Sequence, residues 1–167
     1  MNTCVKKIVV GVAAALLLSG LAFSASATTL SLNAKVLQFA QSHIGQQVGK
    51  GECWDLANEA LAVAGARQPG HGGYSTYTFG TPLALSSIRP GDILQFENVN
   101  FKHTNPNGSW NSNSFPHHTA VVRSVSGGRV EILQQNVNGD RHVRMGTINL
   151  GDRQPGGSLR AYRPHSR

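Results

Sequence analysis

The chain has 167 residues, with 15 Lys and Arg against 8 Asp and Glu, for a formal charge of +7. That length makes one ordinary domain with a real core, and the positive balance favours anionic surfaces such as cell-wall polymers. The basic residues are scattered rather than clustered with aromatics, which argues against a nucleic-acid partner.

Residues 1–27 read as a secretory signal peptide. Lys6 and Lys7 precede the apolar run Ile8–Leu18, and Ala25-Ser26-Ala27 supplies a small-x-small cleavage pattern. The run is shorter than the ~20 residues of a membrane span, and no later segment is more apolar. A secreted or periplasmic domain over residues 28–167 is therefore expected, with no stable membrane insertion. Cys4 falls in the leader, so Cys53 becomes the sole thiol. Exported proteins normally pair their cysteines, and an unpaired one is either buried and inert or kept for its chemistry.

Leu30, Val36, Leu37, Phe39, Ala40 and Ile44 recur at three- and four-residue intervals. They predict a helix within Thr28–Gln47 that stops near Gly45. After Gly49-Lys50-Gly51, a second helical pattern covers Cys53–Ala64, with Gly65 suited to the left-handed residue beyond its end. Arg67–Thr81 reads as loop. Pro90-Gly91-Asp92 is a turn leading into a strand over Ile93–Glu97. Asn98–Pro116 is polar and Asn/Ser-rich, and reads as a long connection carrying Trp110 and Phe115. Strands are predicted over His118–Val125, Arg129–Gln135, His142–Leu150 and Ser158–Tyr162, separated by Gly-rich turns. Helices first and antiparallel strands after give an α+β fold with the helices on one face of the sheet.

Cys53 stands where a loop becomes a helix, so unpaired N–H groups and the helix dipole favour its thiolate. The same residue also fits a small buried hydrophobe, facing Ala57 and Ala60. A base could come from His118, at the start of a strand; the adjacent His117 must then point to the opposite side. Gln134 and Asn136 fall on one face of the next strand, and either amide could accept from the His118 ring and hold its tautomer. No His, Cys or acid spacing suggests a metal, the Gly45–Glu52 stretch has too few acids for calcium, and no phosphate-binding glycine motif occurs. No cofactor is expected.

With Cys53, His118 and Asn136 in this order, the chain resembles the CHAP and NlpC/P60 families of cell-wall cysteine hydrolases. Gly51-Glu52-Cys53-Trp54-Asp55-Leu56-Ala57 looks like their nucleophile helix, and Pro90-Gly91-Asp92-Ile93-Leu94-Gln95-Phe96 like their Pro-Gly-Asp strand. His118-Thr119-Ala120-Val121-Val122 resembles their histidine strand, and Ile132-Leu133-Gln134-Gln135-Asn136 a strand ending in Glu-x-Asn. The resemblance covers roughly Lys35–Pro164 and implies a papain-like α+β fold that cleaves amide bonds in peptidoglycan. It makes Cys53 the nucleophile, the Cys53 backbone N–H an oxyanion donor and His118 the base, with Asn136 the first choice as orienter and Gln134 the second. Gln134 departs from the pattern, standing where many CHAP domains carry glutamate.

Two other functions fit. One is a Cys-His acyltransferase or protease on a peptide target outside the wall. The other is an exported glycan- or protein-binding module, in which Tyr74, Tyr77, Trp110 and Phe115 form the surface and Cys53 is structural.

Overall fold

The computed structural model describes residues 29–69 and 77–167. The leader expected over residues 1–27 and the aromatic Tyr74 lie outside those residues. Two helices come first, α1 (Leu32–Ser42) and α2 (Cys53–Ala64). Ser31 caps α1 by accepting from the Ala34 N–H. Glu52 and Asp55 cap α2 reciprocally, and Gly65 ends it at φ 76°. Six strands follow: β1 (Thr81–Leu83), β2 (Ile93–Thr104), β3 (Trp110–Ser126), β4 (Arg129–Gln134), β5 (Arg144–Asn149) and β6 (Ser158–Arg163). They form one antiparallel sheet in the order β1-β6-β2-β3-β4-β5. This is the expected α+β layout; β1, only three residues long and carrying Pro82, is the strand that sequence patterning does not reveal.

The sheet has a core on each face. Val36 and Ala40 of α1 and Leu56, Ala57, Ala60 and Leu61 of α2 pack on Ile93, Val121, Leu133 and Tyr162. On the other face Leu94, Phe96, Ala120, Val122, Ile132 and Ile148 pack on one another without an α-helix. Asp92 ties the layers together. Its fully buried carboxylate accepts from Asn33 of α1 at 2.7 Å, from Arg163 of β6 at 3.0 and 3.2 Å, and from the Arg89 N–H at 2.9 Å. The Arg163 guanidinium, held by Asp92, keeps its proton beyond the usual arginine range.

Asn98–Pro116 is not a loop. It is the distal half of the β2–β3 hairpin, paired from Val99↔Phe115 to Thr104↔Trp110. Along β2, Leu94 and Phe96 face the helix-free core, and so do Val99 and Phe101. The two-residue rhythm therefore breaks between Phe96 and Val99, where Asn98 has φ 52°. On β3 it breaks between Phe115 and His118, across Pro116. The alternation that marks a strand is interrupted on both chains at one level, so the sequence reads as irregular.

Candidate active site

The site begins with the loop before α2. The Asp55 carboxylate accepts from the backbone N–H groups of Lys50 at 2.8 Å and Glu52 at 3.0 Å. Gly49 has φ 59°, and a Cβ there would stand 2.9 Å from that carboxylate. Only glycine lets the loop fold this tightly onto its own helix. Asp55 thus holds the loop as well as favouring the helix dipole.

Cys53 is the first residue of α2 and only 9% exposed. Burial pushes its thiol pKa up; hydrogen bonds from the Thr119 backbone pull it down, the Glu52 carboxylate raises it, and the Trp54 backbone and Thr119 hydroxyl lower it. Burial prevails, because removing a charge from water costs more than a few dipoles return here. Burial thus outweighs the helix start expected to favour the thiolate, and holds the Cys53 thiol above its ordinary range.

His118 lies next to Thr119 and is 5% exposed. Its Nε2 donates to Gln134 Oε1 at 2.8 Å, which leaves Nδ1 as the basic nitrogen of the neutral ring. Burial lowers the His118 pKa, the Gln134 bond raises it, and the neighbouring His117 lowers it. The ring packs beside Phe115 and Phe96, with centroids 5.4 and 6.0 Å away.

Gln134, and not Asn136, is therefore the amide on His118. Pairing with β5 ends at Gln134↔Arg144, and Asn136 has φ 59°. That turn takes the Asn136 amide away from the imidazole to Glu52, where Nδ2 donates to Oε2 at 2.8 Å. Between them Gln135, fully buried, donates to the carbonyls of Val48 at 3.0 Å and Glu52 at 2.6 Å and accepts from the Val48 N–H. Three successive side chains thus hold the imidazole, the loop before α2 and the carboxylate beside the thiol.

His117 points the other way, as the strand geometry requires. Gln95 donates to its Nε2 at 3.2 Å and accepts from the Thr119 hydroxyl at 2.9 Å. Tyr77 lies 5.9 Å from the His117 ring and stacks on Trp54. Sequence reasoning missed Gln95, although one amide inside the apolar run Ile93–Phe96 marks it. It also missed Gly146, against which the Gln134 amide lies: a Cβ there would come within 2.2 Å of Nε2. No local signal reveals that packing.

A cleft of about 180 Å³ opens beside His118, between Ser114–His118 and Asn136–Asn138. It shares Ser114, Phe115, Val137 and Asn138 with a second groove of about 480 Å³ that reaches Arg144 and Thr147. Among the described residues no three His, Cys, Asp or Glu side chains cluster as a metal site would need. The aromatics expected of a glycan-binding surface are dispersed. Tyr77 lies on the helix side, Trp110 sits under Lys102 near the hairpin tip, and Phe115 packs against Phe96 and Phe101.

The fold has counterparts. The structure resembles that of Ly7917 crystallised with the hydrolyzing product of MDP, with a TM-score of 0.55 at 20% identity over 81% of this chain and 63% of that one. A second Ly7917 structure gives 0.53 at 19% identity, over 80% and 62%. In sequence, the chain is 33% identical over 147 residues to altered inheritance of mitochondria protein 3 of Debaryomyces hansenii, covering 77% of this chain but only 15% of that protein. This is the papain-like cysteine-proteinase fold. With residues 26–167 matching its family model, the chain belongs to the AIM3/BBC1 cysteine proteinase-fold domain family.

Proposed function

We propose that the protein is a hydrolase of amide bonds in which Cys53 is the nucleophile, His118 the base and Gln134 the residue that orients the imidazole. One observation carries this reading: a buried imidazole anchored through Nε2 at 2.8 Å, one residue from the strand position that contacts the only described cysteine. Because burial keeps both groups neutral, the proton leaves Sγ for Nδ1 as the sulfur attacks, rather than beforehand. The Cys53 backbone N–H, in the first turn of α2, is the donor for the developing oxyanion. His118 then protonates the leaving amine, and water releases the acyl group from the thioester.

The finer reading is a CHAP or NlpC/P60-like enzyme acting on peptidoglycan, secreted or periplasmic once residues 1–27 are removed. Support comes from the order of the four motifs, the basic balance, and a structural neighbour holding the hydrolyzing product of MDP. A second reading, an amide target outside the wall, is favoured by the yeast relative.

Incubation with purified peptidoglycan under reducing conditions, with mass spectrometry of the products, separates the two. New amine and carboxyl ends that disappear with Cys53→Ala support the wall reading. Their absence removes it. A Cys53 that iodoacetamide reaches only after unfolding would remove the enzyme reading altogether.

A further inference from the structure

The β2–β3 hairpin leaves one strand edge open beside the site. β4 pairs with β3 only from Val121 onward, so Trp110–Ala120 has β2 on one side and no strand on the other among the described residues. Two hydrogen bonds fix which backbone groups face that open side. At the proximal end the Val122 N–H donates to the Asp92 carbonyl at 2.8 Å. Alternation then turns Ala120 and His118 toward β2, and Thr119 and His117 outward. At the distal end the Asn105 N–H donates to the Ser109 carbonyl at 2.7 Å. Ser109, Asn111 and Asn113 therefore face β2, and Ser112 and Ser114 face outward. The break at Asn98 and Pro116 joins these two phases. The result is a row of outward N–H and C=O groups, Ser112, Ser114, His117 and Thr119, that ends on the Cys53 thiol, since Thr119 is the residue whose backbone N–H meets it.

Both grooves run along this row, walled opposite by Val137 and Asn138. From Ser112 to His118 the edge spans about 20 Å, room for about six extended residues. Resting on the assignment of Cys53 and His118 above, we propose that the substrate is an extended peptide chain that adds to the open edge of β3, so that its main chain, and not a side chain, is read from Ser112 to His117 and one amide is delivered to Cys53. Strand addition gives affinity through main-chain hydrogen bonds, and Arg144, half exposed in the outer groove and only loosely paired with Asp140 at 3.9 Å, favours an acidic side chain on the peptide.

The test uses Cys53→Ala protein, so that nothing is turned over, and N-acetyl hexapeptide amides of Ala and Gly with one Glu. Binding is followed by amide hydrogen exchange and NMR titration. The peptide should slow exchange at Ser112 and Ser114. N-methylation on one alternate set of peptide nitrogens should weaken binding about tenfold, the loss of one or two hydrogen bonds, while the other set changes it less than about twofold. Ser114→Pro, which removes an outward N–H, should weaken binding similarly, and Ser114→Ala, which keeps it, should not. No protection at Ser112 and Ser114, equal sensitivity to both methylation sets, or protection by a peptide-free peptidoglycan sugar chain in place of the peptide would each overturn the proposal. Because these are binding measurements, they fail independently of the peptidoglycan and iodoacetamide assays on the wild-type protein.

Discussion

Replacing Gln134 by glutamate tests the imidazole anchor directly. The variant puts a carboxylate where Gln134 Oε1 now accepts from His118 Nε2 at 2.8 Å, in a site where the two side chains are 6% and 5% exposed. A carboxylate about 4 Å from the imidazolium charge is worth about 4 kcal/mol at an effective dielectric of about 20. Burying the new anion takes back part of that, leaving about 1–3 kcal/mol in favour of the imidazolium and raising the His118 pKa. In the wild type, burial holds His118 below its ordinary value. The unfolded chain then binds more protons between the folded value and the ordinary imidazole value of 6.5, so stability falls as pH drops through that window and levels off below it. In Gln134→Glu the folded value rises, so that low-pH loss shrinks; once the value passes 6.5 the sign reverses, and the contribution is then present at low pH and lost as pH climbs through the new value. NMR titration of the His118 ring protons reads the shift, and urea melts at several pH values read the linkage. An unchanged His118 titration would show that the 2.8 Å bond does not govern the ring, and the role given to Gln134 would fall with it.

Cys53→Ala should abolish turnover while leaving the melting temperature within a few degrees, and in the wild type iodoacetamide labelling should accelerate with pH through the alkaline range because burial holds the thiol protonated; a rate already at plateau below neutrality would refute the neutral resting pair. Gly146→Ala should displace the Gln134 amide, lowering turnover more than tenfold at a cost of about 1–3 kcal/mol in denaturant melts, and full activity would show that Gln134 can move without consequence. Asp92→Ala should destabilise the fold by more than about 2 kcal/mol, since it strands the buried Asn33 amide of α1 and frees the partly exposed Arg163 of β6, while the pH dependence of Cys53 labelling stays as in the wild type. His118→Ala should remove turnover and His117→Ala should change it far less; the reverse result would move the base to the Gln95 side of β3.

Helix α2 was legible to the residue, while α1 was placed within Thr28–Gln47 but not bounded, ending at Ser42 and not at Gly45. Apolar spacing over Cys53–Ala64 and a glycine at the left-handed end leave little choice. The histidine strand and the Gln134–Asn136 strand could be placed because each carries an alternating apolar run. What stayed hidden are the features that depend on distance across the chain. The distal hairpin is concealed by the phase break at Asn98 and by its Asn and Ser content. Period two also placed Gln134 and Asn136 on one face, whereas the left-handed turn at Asn136 sends them apart. The sign of the thiol shift could not be read either, since a helix start is a local property and burial is not.

The succession of Gln134, Gln135 and Asn136 has a further meaning for how this chain can vary in length. Each of the three residues reaches a different part of the site. Inserting or deleting a single residue between Leu133 and Val137 would hand every side chain its neighbour's task, and no substitution nearby could restore all of them together. The tip of the β2–β3 hairpin, Asn105–Ser109, lies far from these bonds and is free to lengthen or shorten. Related chains should therefore differ in size at the hairpin tip and keep a fixed count of residues at the end of β4.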